Sequence, residues 1–201
     1  MSKRHVAIIG TLAVLLMALV MVFRPASLQV EAKVQAASTA QAKLPNKLKQ
    51  AKIVVFKSKR ILQLFDGNQL LREYPIALGS NPIGHKYLEG DRATPEGDYY
   101  ISHKNPKSQF YLSLGISYPN IKDAQYALNK KYISQAQYEQ ITTANQNKAS
   151  PPQKTAMGGD IMIHGNGSAK DWTWGCIALN GGHIKELYSV ITEKTPIRIL
   201  P

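Results

Sequence analysis

Ile53-Val54-Val55-Phe56, then Ile61-Leu62-Gln63-Leu64-Phe65 and the turn residues Asp66-Gly67-Asn68, is the stretch whose pattern decides the kind of fold. Short runs of β-branched and aromatic residues suit a pleated, half-buried surface, and an Asp-Gly-Asn break lets the chain reverse into Gln69–Leu78 as a hairpin. The same grammar recurs outward from there. Thr94-Pro95-Glu96-Gly97 is a tight turn into the strand Asp98–Ser102. Asp160-Ile161-Met162-Ile163-His164 is a short apolar strand, and Thr195–Leu200 closes the chain with another.

Two helical stretches interrupt these strands. Ser134 and Gln137 form a capping box, with Ile133 and Tyr138 placed as a hydrophobic staple, and this predicts a helix to about Asn145. Ile184, Leu187, Tyr188 and Ile191 recur at helical spacing after Asn180-Gly181-Gly182. Neither helix alternates regularly with strands, so a parallel α/β sheet is not expected. The expected fold is mainly β: a two-sheet, sandwich-like, largely antiparallel domain over 51–201 with short helical insertions.

Upstream, Val6–Phe23 is eighteen residues without a charge, flanked by Lys3-Arg4 and Arg24-Pro25. As a helix it would reach about 27 Å against a bilayer core of about 30 Å. Residues 1–25 are therefore expected to be an N-terminal transmembrane helix, or a signal segment if cleaved. Two basic residues before the span and one directly after it keep the N-terminus cytoplasmic and place the remainder outside. Residues 26–50, rich in Ala, Gln, Lys and Ser, read as a flexible tether. The chain would then lie in the cell envelope, its folded part periplasmic, or be secreted after cleavage.

The 201 residues carry a net charge of +12, but the first fifty hold seven basic residues against one acid. The remainder is moderately basic, with scattered charges and no basic stripe interleaved with aromatics, so nucleic acid is not an expected partner. A polyanionic envelope or membrane surface suits the charge better. A single cysteine excludes an internal disulfide framework and a Cys-only zinc site. The spacing of His164, Cys176 and His183 fits no compact zinc pattern, so neither metal nor cofactor is expected.

An exported thiol without an internal partner is a liability unless it performs chemistry. Cys176 follows Gly175 in the polar, aromatic stretch Asp171-Trp172-Thr173-Trp174-Gly175-Cys176, which is not a core strand. A glycine there lets the backbone turn and present N–H groups to an oxyanion. A nucleophilic thiol also needs a base. Of the five histidines, His5 abuts the apolar span, while His85, His103 and His183 fall in or beside loops. His164 ends an apolar strand and precedes Gly165-Asn166-Gly167, where a rigid scaffold hands a side chain to a site.

Ile163-His164-Gly165 followed by Thr173-Trp174-Gly175-Cys176-Ile177-Ala178-Leu179-Asn180 resembles the signature of the L,D-transpeptidase (YkuD-like) family, and the resemblance covers essentially residues 52–200. The commoner family form carries Ser-His-Gly-Cys and then an Arg. Here Trp174 stands in place of that His and Ala178 in place of that Arg, which resembles a subgroup with Asp-Trp-Thr-x-Gly-Cys-Ile-Ala. The resemblance implies that Cys176 attacks the L,D-peptide bond of a peptidoglycan stem tetrapeptide, that His164 takes the thiol proton, and that the Gly165 carbonyl holds the imidazole. It further implies that Gly175 and Cys176 N–H groups form the oxyanion hole, without metal or cofactor. Trp174, Thr173 and Asn180 are the candidate substrate contacts, with Tyr111 and Tyr118 as further possible walls and Trp172 as a packing anchor. The acyl group would pass to an amine of a second stem or of an envelope protein. The alternatives are a hydrolytic relative, trimming stems or releasing a peptidoglycan-linked protein, and an inactive peptidoglycan-binding module.

Overall fold

Alternation fixes which side of each strand turns inward, and the computed structural model, which describes residues 43–201, follows it. In β1 (Ala51–Phe56) Ile53 and Val55 are buried; in β2 (Ile61–Asp66) the buried pair is Leu62 and Leu64. β3 (Gln69–Pro75) completes a meander with them. The remaining strands are β4 (Gly97–Ser108), β5 (Tyr111–Ile116), β6 (Met162–His164), β7 (Ile177–Ala178) and β8 (Pro196–Leu200). Three helices are present among the described residues: α1 (Ile121–Asn129), α2 (Gln135–Gln146) and α3 (Gly181–Val190).

The strands form one eight-stranded sheet in the order β3-β2-β1-β8-β4-β5-β6-β7. This corrects the expected pair of separate sheets, and β4 is the reason. Its first residues, Gly97–Tyr100, pair with β8, whereas Ile101–Ser108 pair with β5 across two register shifts. A twelve-residue strand interrupted this way curls the sheet on itself instead of leaving two independent layers. Two parallel pairings, β1 with β8 and β6 with β7, are set in an otherwise antiparallel sheet. The last strand therefore sits in the middle of the sheet, with Ile197 and Ile199 fully buried.

Local chemistry accounts for the helices. Ser134 caps α2 and forms the expected reciprocal box with Gln137. The helix not expected from sequence, α1, has the same device built from Asn120 and Asp123. Asp123 also accepts from the Tyr99 hydroxyl at 2.8 Å, which ties the helix to β4. α3 buries Ile184 and Leu187 of the expected stripe together with Val190, while Tyr188 is partly buried and the buried Ile191 caps the helix end. The residues expected to be tether enter the domain earlier than the reading placed them: Leu44 and Leu48 are buried members of the hydrophobic core. Among the described residues no helix is long and apolar enough to cross a membrane. The expected span and the tether up to residue 42 lie outside the described residues.

One buried cation braces the segment that will underlie the site. Lys57, 2% exposed, donates to the carbonyls of Gly84 and Thr94 and to Glu96 Oε1 at 2.7 Å. Burial pushes its ammonium below the ordinary lysine range, with the Glu96 contact opposing. Removing one member of a buried pair leaves the other charge uncompensated. Lys57→Met is expected to cost about 3 kcal/mol, the lower end for such a loss because Glu96 keeps some contact with solvent. Urea unfolding of the two proteins measures it, and an unchanged midpoint would show that Lys57 braces nothing.

Candidate active site

The register of two short parallel strands brings the two principal residues together. Ile163 pairs with Ile177 and His164 with Ala178. Cys176, one residue before that ladder, therefore lies beside Met162, and side-chain alternation turns Cys176, Met162 and His164 to the same face. The Met162 N–H donates to Cys176 Sγ at 3.4 Å, in accord with this placement. Cys176 and His164 both line a cleft of about 380 Å³, together with Phe110, Ser113 and Asp160 among others.

His164 is 2% exposed, and its surroundings fix both its plane and its tautomer. Nδ1 lies 2.7 Å from the Gly165 carbonyl oxygen. A carbonyl only accepts, so the proton sits on Nδ1 and Nε2 keeps its lone pair. Phe110 stacks on the imidazole at 4.5 Å between centroids, and Trp172 meets it edge-on at 5.6 Å. Trp172 is itself held by Nε1–H donation to the Gly167 carbonyl at 3.1 Å. Burial lowers the basicity of His164, partly offset by the Gly165 bond, so the ring is neutral near neutral pH. Gly165 is required sterically: a Cβ there would stand 2.6 Å from the Phe110 carbonyl oxygen, which accepts from the Gly165 N–H.

The thiol rests protonated. Cys176 Sγ donates to the Asp160 carbonyl oxygen at 3.4 Å. Burial pushes its pKa up to about 11; the Met162 N–H and Lys86 oppose this, and the charge of Asp160 adds to it. The resting pair is thus a neutral thiol and a neutral imidazole with a free Nε2, the arrangement of a nucleophile deprotonated by a general base during attack.

The loop carrying the thiol is laid against the segment 77–93. Leu78 O accepts from the N–H groups of Trp172 and Thr173, and Ser80 N–H donates to Thr173 O. Gly175 has φ 123°, and a Cβ on it would lie 2.7 Å from Ala93 O, so only glycine fits this crossing. The expected pair of free oxyanion donors is altered. Gly175 N–H donates to Thr173 Oγ1 at 3.2 Å, and that hydroxyl donates to Cys176 O at 2.7 Å. Cys176 N–H is left without an acceptor among the described residues.

Several expected contacts lie elsewhere. Thr173 is buried and its hydroxyl is occupied within the loop, where it braces the backbone. Asn180 is exposed at the start of α3, accepting weakly from Ser168 at 3.4 Å, and lines neither described cleft. Trp174 is 72% exposed with the Arg92 guanidinium over its ring at 4.9 Å, and it faces a second cleft of about 720 Å³. Tyr118 is fully buried and Tyr111 lies outside both clefts. His85, His103 and His183 line neither.

Four participants were not singled out from sequence. Phe110 gave no signal beyond being one aromatic among many, and Asp160 was quoted only as the start of a strand. Ser113 pairs across the sheet with His164, and its buried hydroxyl has no hydrogen-bond partner among the described residues. Arg60 clasps Asp171 through Nε and Nη2, at 2.6 Å for the shortest contact. Among the described residues no group of three or more His, Cys, Asp or Glu side chains is placed to hold a metal.

Comparison with known proteins bears on the same residues. Residues 50–199 match the YkuD family model, described as an L,D-transpeptidase catalytic domain. YafK of Escherichia coli (strain K12), provisionally named an L,D-transpeptidase, is 33% identical over 87 residues, which are 40% of this chain and 35% of YafK. The crystal structure of the helical cell shape determining protein Pgp2 from Campylobacter jejuni superposes with a TM-score of 0.52 at 27% identity. That match covers 74% of this chain and 46% of Pgp2, so the chain spans less than half the length of either protein.

The resting protonation state is directly measurable. Alkylation of Cys176 by iodoacetamide is expected to be slow at neutral pH, rising about tenfold per pH unit until it levels near the thiol pKa of about 11. A rate already level at neutral pH would mean a preformed thiolate–imidazolium pair and would overturn the assignment.

Proposed function

The chain belongs to the YkuD family of L,D-transpeptidase catalytic domains, and on that premise we propose that it is a cysteine-dependent acyl transferase acting on peptidoglycan stem tetrapeptides. The observation that carries the proposal is the His164 Nδ1 contact with Gly165 O, which leaves Nε2 bare in the cleft that also holds Cys176.

Substrate binding places the scissile L,D-amide carbonyl over Sγ. As Sγ attacks, the thiol proton passes to His164 Nε2, the C–S bond forms, and negative charge collects on the carbonyl oxygen. Cys176 N–H is the donor positioned for that oxygen. Gly175 N–H joins it where Thr173 Oγ1 releases it. The C–N bond then breaks, and His164 returns the proton to the departing D-residue, leaving an acyl-enzyme. An amine from a second stem or an envelope protein takes the acyl group, and the sulfur recovers its proton through His164. The raised thiol pKa favours this concerted route over a resting thiolate, and burial keeps the imidazole a base at neutral pH.

The Asp171-Trp172-Thr173-Trp174-Gly175-Cys176-Ile177-Ala178 stretch supports placing the chain in the subgroup with that motif. There Trp174 stands in place of a second histidine and walls the adjoining cleft, with the Arg92 guanidinium over its ring. The same reading puts the protein in the cell envelope with its domain outside the cytoplasm, held by residues 1–25 or released on their cleavage. The cell-shape role in the name of Pgp2 supports an envelope setting.

The test is mass spectrometry of the full-length protein incubated with disaccharide tetrapeptide. Cross-linked dimer with loss of a terminal D-residue is expected. Cys176→Ala is expected to abolish turnover with its unfolding transition retained, and His164→Gln to lower it by about a thousandfold. Tripeptide alone would make the protein a hydrolase. Full turnover by Cys176→Ala would sink the mechanism, and no turnover by the wild type would leave a peptidoglycan-binding module.

A further inference from the structure

Asp160 belongs to both clefts. On one side lies the catalytic pair; on the other lies the larger cleft walled by Trp174, Lys154 and, from α2, Gln137. The residue is held tightly by its backbone. Its N–H donates to Gln153 Oε1 at 2.6 Å, and its carbonyl accepts from Cys176 Sγ. Its φ is 52°, in the left-handed region that Asp and Asn tolerate better than other side chains.

The carboxylate, in contrast, belongs to an exposed residue and is engaged in no hydrogen bond or ion pair among the described residues. Lys86, a cation that acts on the thiol, does not neutralise it, because Lys86 Nζ is spent on Asp91 Oδ1 and Leu88 O. For the acylation step alone this placement is adverse. A negative charge beside Cys176 opposes thiolate formation. A side chain that works against the first half-reaction has its use in the second.

We infer that Asp160 recruits the ammonium form of the amine acceptor to the acyl-enzyme and thereby directs the acyl group to an amine and away from water. This inference rests on the acyl-transfer reading above. An aliphatic amine is a cation at neutral pH, and an unpaired carboxylate at the mouth of the thioester concentrates it there. One ammonium N–H bonds to the carboxylate, and another proton is lost to solvent. The lone pair so freed attacks the thioester carbon: the C–N bond forms, the C–S bond breaks, and the remaining excess N–H proton passes through His164 Nε2 to the sulfur. Water, being neutral, gains nothing from the carboxylate.

The partition of the acyl-enzyme isolates this effect from the rate of acylation. Full-length wild type, Asp160→Asn and Asp160→Glu are incubated with disaccharide tetrapeptide and either methylamine, a cation at neutral pH, or hydroxylamine, mostly uncharged. Mass spectrometry gives the ratio of methylamide or hydroxamate to free tripeptide. Asn tolerates the left-handed backbone, so the variant keeps the fold. Asp160→Asn is expected to lower the methylamide ratio by about tenfold, with the hydroxamate ratio unmoved and Asp160→Glu restoring most of the loss. A methylamide ratio unchanged by Asp160→Asn, a parallel fall in both ratios, or a wild type that forms tripeptide but no methylamide would each overturn the inference while leaving the acyl-enzyme intact. A wild type that releases no D-residue in any mixture would overturn the acyl-transfer reading itself, and this inference with it.

Discussion

The carboxylate of Asp171 is the constraint on which the site depends. It accepts from the Arg60 guanidinium through Nε and Nη2, and from the Leu78 backbone N–H at 2.8 Å. Charge-assisted, two-point bonds of this kind fix orientation as well as distance. They join three parts of the chain far apart in sequence: the β1–β2 turn, the strand-like segment after β3, and the loop leading to the thiol. Once Asp171 is placed, Trp172 and Thr173 reach Leu78 O, Trp172 reaches the edge of His164, and Gly175 crosses over Ala93. The clasp ends in the same turn as Lys57, whose bonds to Gly84, Thr94 and Glu96 secure the other side of that floor. The loop is thus held by electrostatics at its start and by close backbone contact at its end.

Electrostatically the site is kept uncharged until it is used. The same burial that raises the thiol pKa lowers that of the imidazole, because each loses solvation of its charged form. A thiolate is oxidised more readily than a thiol, so a thiol resting on the Asp160 carbonyl is the less reactive form. In the proposed reaction charge separation is deferred until a substrate carbonyl can accept it, and the base acts in the same step as the attack. A His164 whose tautomer is fixed by a backbone carbonyl and whose plane is fixed by Phe110 and Trp172 suits that role.

Much of this was legible in the sequence, and the rest was hidden for identifiable reasons. Period-two alternation reported β1, β2 and β8, and the Ser134–Gln137 box reported α2, because these signals are local. The α1 helix was missed because its box uses Asp123 at the third position, and short Asp is a weaker signal than Glu or Gln. The single curled sheet was not foreseen because β4 changes partner midway, a property of pairing and not of composition. His164 and Cys176 stood out through their glycine neighbours. Thr173 and Asn180 could not be sorted from sequence, since a polar residue beside a reactive thiol looks the same whether it braces the loop or meets a ligand. Phe110 and Arg60 could not be found at all: each meets the site only through folding, at separations of more than fifty and more than a hundred residues.

The two shortest strands place the two principal residues of the site. β6 has three residues and β7 two, at the edge of the sheet. Were β7 displaced by one residue, alternation would turn Cys176 away from the face of His164. The exposed edge that remains is closed by Ala77, which exchanges both backbone hydrogen bonds with Ala178 at 2.8 and 2.9 Å. Leu114, Ile163 and Ile177, all fully buried, hold the register from the opposite face of the same strands. A buried apolar row thus fixes the alignment and leaves Cys176 and His164 on one side of the sheet, the placement on which the proposed chemistry depends.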